Sequence, residues 1–89
     1  MKALHNLRLI GLALALVGRT EEAIEQLDEA LRLNPNNAEA HNNLGLALLA
    51  SGKARESIPE FELALGLKPQ LKGAAENLER AQAQLRSQR

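Results

Sequence analysis

Side chains able to do covalent or acid–base chemistry are few in this sequence, and their spacing does not gather them. His5 and His41 stand 36 positions apart, and neither has a partner at i,i+4 with which to hold a metal ion. Ser51 and Ser57 fall in or beside helical patterns, with no strand–turn–helix elbow to present a nucleophile. The absence of cysteine excludes thiol nucleophiles, disulfides and zinc–thiolate sites. No glycine-rich loop resembles a phosphate cradle. The sequence therefore predicts no catalytic residue, no metal ligand, no cofactor site and no small-molecule substrate. Eleven basic and eleven acidic residues cancel, which argues against a nucleic-acid binder driven by bulk charge. The charges are nevertheless segregated. Residues 21–29 hold five acids and no base, read as the solvated face of a helix, and residues 80–89 hold Arg80, Arg86 and Arg89 and no acid, read as a solubilising end.

The elements that carry these residues are helical by composition. Leu and Ala supply 34 of the 40 hydrophobic residues, and there is one Phe, no Trp and no Tyr. Both are strong helix formers, whereas the β-branched and aromatic residues that favour strands are scarce. The 89 residues are room for one small domain. The apolar run over residues 9–17 is too short to span a bilayer, which takes about 20 residues as a helix. It has the make-up of a signal-peptide core as well as of a buried helix; the repeat described next favours the helix. No membrane association is expected. The expected compartment is the cytoplasm, although a chain without cysteine can also fold in the periplasm or outside the cell.

The chain matches itself at an offset of 34 residues, without a gap, over residues 4–37 and 38–71. Gly11-Leu12-Ala13-Leu14 aligns with Gly45-Leu46-Ala47-Leu48. Gly18 meets Gly52, Glu22 meets Glu56 and Ile24 meets Ile58. Ala30, Leu31, Leu33 and Pro35 meet Ala64, Leu65, Leu67 and Pro69. Glycine closes helices and proline cannot continue them. The punctuation predicts helices over about 4–17, 20–33, 37–51 and 55–67, with Thr20 and Asn37 as N-caps. Pro59 is harmless if its helix begins at Arg55 or Glu56, and distorting if it begins earlier. Over residues 71–86, Leu71, Ala74, Ala75, Leu78, Ala81 and Leu85 form one apolar stripe on a polar helix, as suits the cap of a repeat array.

Period and pattern resemble the tetratricopeptide repeat, a helix–turn–helix unit of 34 residues. The signature positions are His41, Leu44-Gly45, Leu48, Ser57, Phe61, Ala64 and Pro69 in repeat two. In repeat one they are Leu7, Ile10-Gly11, Leu14, Ala23, Leu27, Ala30 and Pro35. The resemblance implies an all-α, right-handed solenoid of five helices in one domain: repeat one over 4–37, repeat two over 38–71 and a capping helix over 71–86. It also implies that Ala30 and Ala64 pack adjacent helices closely.

In this family the first helix of each repeat lines a concave groove. The resemblance therefore puts Arg8, Leu12 and Leu16 of repeat one in or beside that groove. Asn42, Asn43, Leu46 and Leu49 of repeat two join them, with Asn77 and Arg80 of the cap. Asn43 and Asn77, 34 apart, should stack on one face, and an amide can bond an extended peptide backbone as donor and acceptor together. Some family members hold peptides on such an asparagine ladder; here Leu9 interrupts it. Cochaperone members clamp a C-terminal carboxylate, but Leu12, Gly73 and Asn77 stand where that clamp has Asn, Lys and Arg. The implied function is a non-enzymatic scaffold that binds a protein or peptide. The alternatives are an accessory segment of a larger enzyme or assembly, and a self-associating module. Homo-oligomerisation is expected because residues 4–17 carry a second apolar stripe, Leu9, Leu12 and Leu16, beside the packing stripe Leu7, Ile10, Leu14 and Val17, and these leucines with Leu46 and Leu49 cannot all be covered in one chain with an open groove.

Overall fold

A computed structural model describes residue 10 and residues 18–88. Four helices follow one another: α1 (Thr20–Leu33), α2 (Ala38–Ala50), α3 (Ala54–Leu67) and α4 (Ala74–Ser87). No strand occurs among the described residues, so the fold is all-α. The helix expected over 4–17, with Arg8, Leu12 and Leu16, lies outside the described residues apart from Ile10. Ile10 is helical and 46% exposed, whereas its counterpart Leu44 is 5% exposed. Repeat one is thus less covered at this position than repeat two.

Local chemistry sets most of the boundaries. The Asn37 side chain accepts from the Ala40 N–H at 3.0 Å and starts α2. The end of α2 is closed by Gly52 at φ 81°, with Gly52 N–H bonded to Leu49 O at 3.1 Å and Lys53 N–H to Leu48 O at 2.8 Å. This paired closure needs a left-handed residue, which glycine supplies without a steric cost.

Three sequence expectations are corrected. Thr20 is the first residue of α1 rather than its cap; Arg19 takes the cap position and bonds Glu22. The capping helix starts at Ala74, not Leu71, because Gly73 turns the chain at φ 82° immediately before it. α3 begins at Ala54, so Pro59 lies inside it, yet the helix continues without a break. Pro59 deprives the Arg55 carbonyl of its N–H donor. Both residues are exposed, so water can serve that carbonyl.

Helices adjacent in sequence are adjacent in space, with α2 also touching α4. The core is built largely of small residues. Ala23, Leu27, Ala40, Leu44 and Ala47 form one buried cluster, covered by Ile24, Leu31 and Leu48. Phe61 is the largest fully buried side chain, and its ring lies directly over Gly45 of α2. Ala30 and Ala64 are wholly buried. A larger residue has no room there, so Ala64→Leu should cost about 1–3 kcal/mol, read as a lowered melting temperature.

Surface charges add little to this core. Arg19 pairs with Glu22 and Arg32 with Glu29 on α1's exposed side. The Arg32 hydrogen bond holds the Glu29 carboxyl below its ordinary value. Exposed pairs of this kind contribute about 0–1 kcal/mol.

Candidate functional site

The groove begins with two helices that face each other across one repeat boundary. α2 presents Leu46, Leu49 and Ala50, and α4 presents Arg80 and Gln84; together they line an open depression of about 320 Å³. On each helix these residues recur at three- or four-residue steps, and so share one face. The two walls differ in chemistry, one aliphatic and one polar.

Hydrogen bonds tie the walls together. The Asn77 amide donates from Nδ2 to Asn42 Oδ1 at 3.1 Å, and Arg80 Nη2 donates to Asn77 Oδ1 at 2.7 Å. Gln84 Nε2 donates to the Leu49 carbonyl at 3.3 Å, and Gln88 Nε2 to the Gly52 carbonyl at 3.2 Å. Asn42, Asn77 and Arg80 thus form a chain of polar groups leading to the depression. Asn77 is held from both sides, which fixes the direction of its amide and places the Arg80 guanidinium.

Among the residues singled out from the sequence, Leu46, Leu49 and Arg80 are brought together, and Asn42 and Asn77 are bonded to each other. Asn43 is only 8% exposed, and the amide–amide link runs from Asn77 to Asn42 instead. A helix turns about 100° per residue, so Asn42 and Asn43 cannot both face Asn77. Arg8, Leu12 and Leu16 lie outside the described residues. Gln84 is not among the residues singled out from the sequence, and Ala50 is known from it only as sharing the face of Leu46 and Leu49. Their signal was present, since they are 34 apart and each lies three or four residues from a groove residue, Ala50 from Leu46 and Gln84 from Arg80.

A family model for the TPR repeat matches residues 11–52, and a second, for the tetratricopeptide repeat, matches residues 38–71. The chain belongs to the tetratricopeptide-repeat family. A comparison with curated proteins finds no match.

Members of the family generally mediate protein–protein interactions and are typically non-catalytic. His41, Ser51 and Ser57 of repeat two have structural partners within the fold. His41, where the tetratricopeptide pattern favours Trp, is buried, with Nε2 2.7 Å from the Pro35 carbonyl and Nδ1 2.8 Å from Glu60 Oε1. A carbonyl only accepts, so Nε2 donates to Pro35, and Nδ1 lies within hydrogen-bond distance of the Glu60 carboxylate. The imidazole therefore bridges the turn before α2 to α3, as the bulk of a Trp would. Ser57 Oγ is fully buried and donates to the Ala54 carbonyl at 2.7 Å; Ser51 Oγ donates to the Leu48 carbonyl at 3.0 Å. Among the described residues, no three His, Cys, Asp or Glu stand close enough to hold a metal ion, and no helix is long and apolar enough to cross a membrane.

Proposed function

We propose that the chain is a protein-interaction scaffold that holds a peptide segment of a partner in the groove between α2 and α4. The observation that carries this reading is the shared depression of Leu46, Leu49 and Ala50 facing Arg80 and Gln84. Two leucines give an aliphatic floor, worth about 1.5–3 kcal/mol for each side chain fully removed from water. Arg80, fixed by Asn77, supplies donors for a peptide carbonyl or carboxylate. The segment that fits presents one or two aliphatic side chains beside an acceptor group. The tetratricopeptide pattern also assigns Arg8, Leu12, Leu16 and Asn43 to this proposed binding surface.

The test is selection from a peptide library, followed by titration of a dye-labelled peptide, since the chain has no Trp or Tyr to report binding. Leu46→Asp should weaken binding roughly tenfold or more, and Asn77→Ala by about 0.5–1.5 kcal/mol, because Arg80 loses its support. A selected peptide that binds Leu46→Asp and Asn77→Ala as well as the unaltered chain would place the site elsewhere.

A further inference from the structure

A second apolar surface lies on α3, and it shares no residue with the groove. Pro59, Leu63, Gly66 and Leu67 line an open depression of about 540 Å³, with Glu62 at its edge. Leu63 is 49% and Leu67 42% exposed. The internal repeat supplies a control for what the fold requires there. At the 34-residue offset, Glu25, Glu29, Arg32 and Leu33 of α1 occupy the places of Pro59, Leu63, Gly66 and Leu67. Three of the four positions are charged in α1, where Glu29 and Arg32 simply pair with each other at the surface. The repeat therefore folds with charge at these sites, and the apolar set on α3 is not a demand of folding. Two of its members weaken the helix that carries them, Pro59 by removing an N–H and Gly66 by its backbone freedom. Gly66 leaves open space at the surface: a Cβ added there would meet nothing within 4 Å. The result is an open apolar strip whose members recur at helical spacing.

Charge indicates what covers it. α1 and α3 together carry eight acids, Glu21, Glu22, Glu25, Asp28, Glu29, Glu56, Glu60 and Glu62, and only two bases, Arg32 and Arg55. Asp28 lies near enough to Glu60 that burial first, and the Glu60 charge second, push its carboxyl above the ordinary aspartate value. No ion pair joins Asp28 among the described residues. Two copies meeting through this face would bring their acids together, and an anionic lipid surface would be repelled. A positively charged partner gains on both counts.

We propose that this face of α3 is a second docking surface, for a cationic amphipathic helix of another protein. Its aliphatic side chains seat on Pro59, Leu63, Gly66 and Leu67, and its Lys or Arg side chains meet Glu62. The proposal does not depend on the α2–α4 groove, and the two are tested apart.

The probe is a dye-labelled amphipathic peptide of leucine and lysine, about 14 residues long, titrated by fluorescence anisotropy beside the same peptide with glutamate for lysine. The lysine peptide should bind and the glutamate peptide bind roughly tenfold more weakly or not at all. Leu63→Glu is the decisive variant. It installs the residue that α1 already carries at that position, so the fold should persist, as helical circular dichroism will verify. It also adds negative charge, so attraction by charge alone would strengthen lysine-peptide binding, whereas loss of the apolar seat should weaken it roughly tenfold. Leu46→Asp should leave this binding unchanged. Unchanged or tighter binding to Leu63→Glu overturns the proposal, as does a loss on Leu46→Asp equal to that on Leu63→Glu. Light scattering of the chain alone gives the remaining outcome: an oligomer that Leu63→Glu dissolves assigns the face to a second copy and overturns the proposal equally.

Discussion

Phe61→Ala is expected to remove about 3–5 kcal/mol of stability, the largest effect of any single side-chain truncation in the described fold. Phe61 is the one aromatic residue in the chain and the bulkiest of its fully buried side chains. Around it the core is built mainly from alanine: Ala30, Ala40, Ala47, Ala54, Ala64, Ala74 and Ala81 are all buried. Alanine side chains cannot re-orient to fill a void, so the space left by the ring stays empty and its cost approaches the upper end of the range. A domain of this size has a total stability of roughly 4–13 kcal/mol, so the loss would be a large part of the whole. In a thermal melt followed by circular dichroism, the midpoint should fall on the order of 20 °C. A fall of only a few degrees would mean that the helices close over the vacated site, and that α2 and α3 are not held apart by this ring. The binding surfaces would suffer with the core, because Leu46 and Leu49 on α2 and Leu63 on α3 keep their relative positions only while Phe61 spaces the two helices.

What was legible in the sequence was whatever depends on local chemistry or on the repeat. Gly52 closes α2 and Asn37 opens it because each acts on backbone groups within a few residues, and such signals need no tertiary context. The buried status of Ala30 and Ala64 follows from their places in the 34-residue register. The start of the capping helix was misread because Leu71 continues the apolar stripe, whereas a left-handed Gly73 interrupts the helix geometrically. The Asn42–Asn77 bond was missed for a different reason. Offset 34 pairs Asn43 with Asn77 along the chain, but which amide meets which depends on how α2 and α4 are rotated about their own axes. Gln84 escaped notice because a neutral residue on a polar helix carries no signal until a neighbouring helix is placed beside it. The strip on α3 is legible in the sequence as the contrast of Glu25, Glu29 and Arg32 with Pro59, Leu63 and Gly66, a difference between the repeats rather than an identity.

Gly45→Val should be nearly as damaging as Phe61→Ala, at about 3 kcal/mol or more, and for the opposite reason. A Cβ built on Gly45 would lie 2.6 Å from Phe61 Cε1 and 2.8 Å from both Cδ1 and Cζ. That is well inside van der Waals contact, and the obstacle is a wholly buried ring with no free volume to retreat into. Helix propensity works weakly in the other direction, since valine is the better helix former by a few tenths of a kcal/mol, far less than the clash. The cause can be isolated with a double-mutant cycle. Phe61→Leu removes three carbons and should cost about 1–2 kcal/mol alone. Gly45→Val adds three carbons at the ring's own position, so the pair together restores the volume of the site. If the ring is the obstacle, the double variant should be at least about 1 kcal/mol more stable than the sum of the two losses predicts, a coupling within the range found for residues in contact. Thermal or urea unfolding of the four proteins measures it. Strict additivity would mean that Gly45 is required for some property of α2 itself rather than for the approach of α3, and the close packing of the two helices of repeat two would need another explanation.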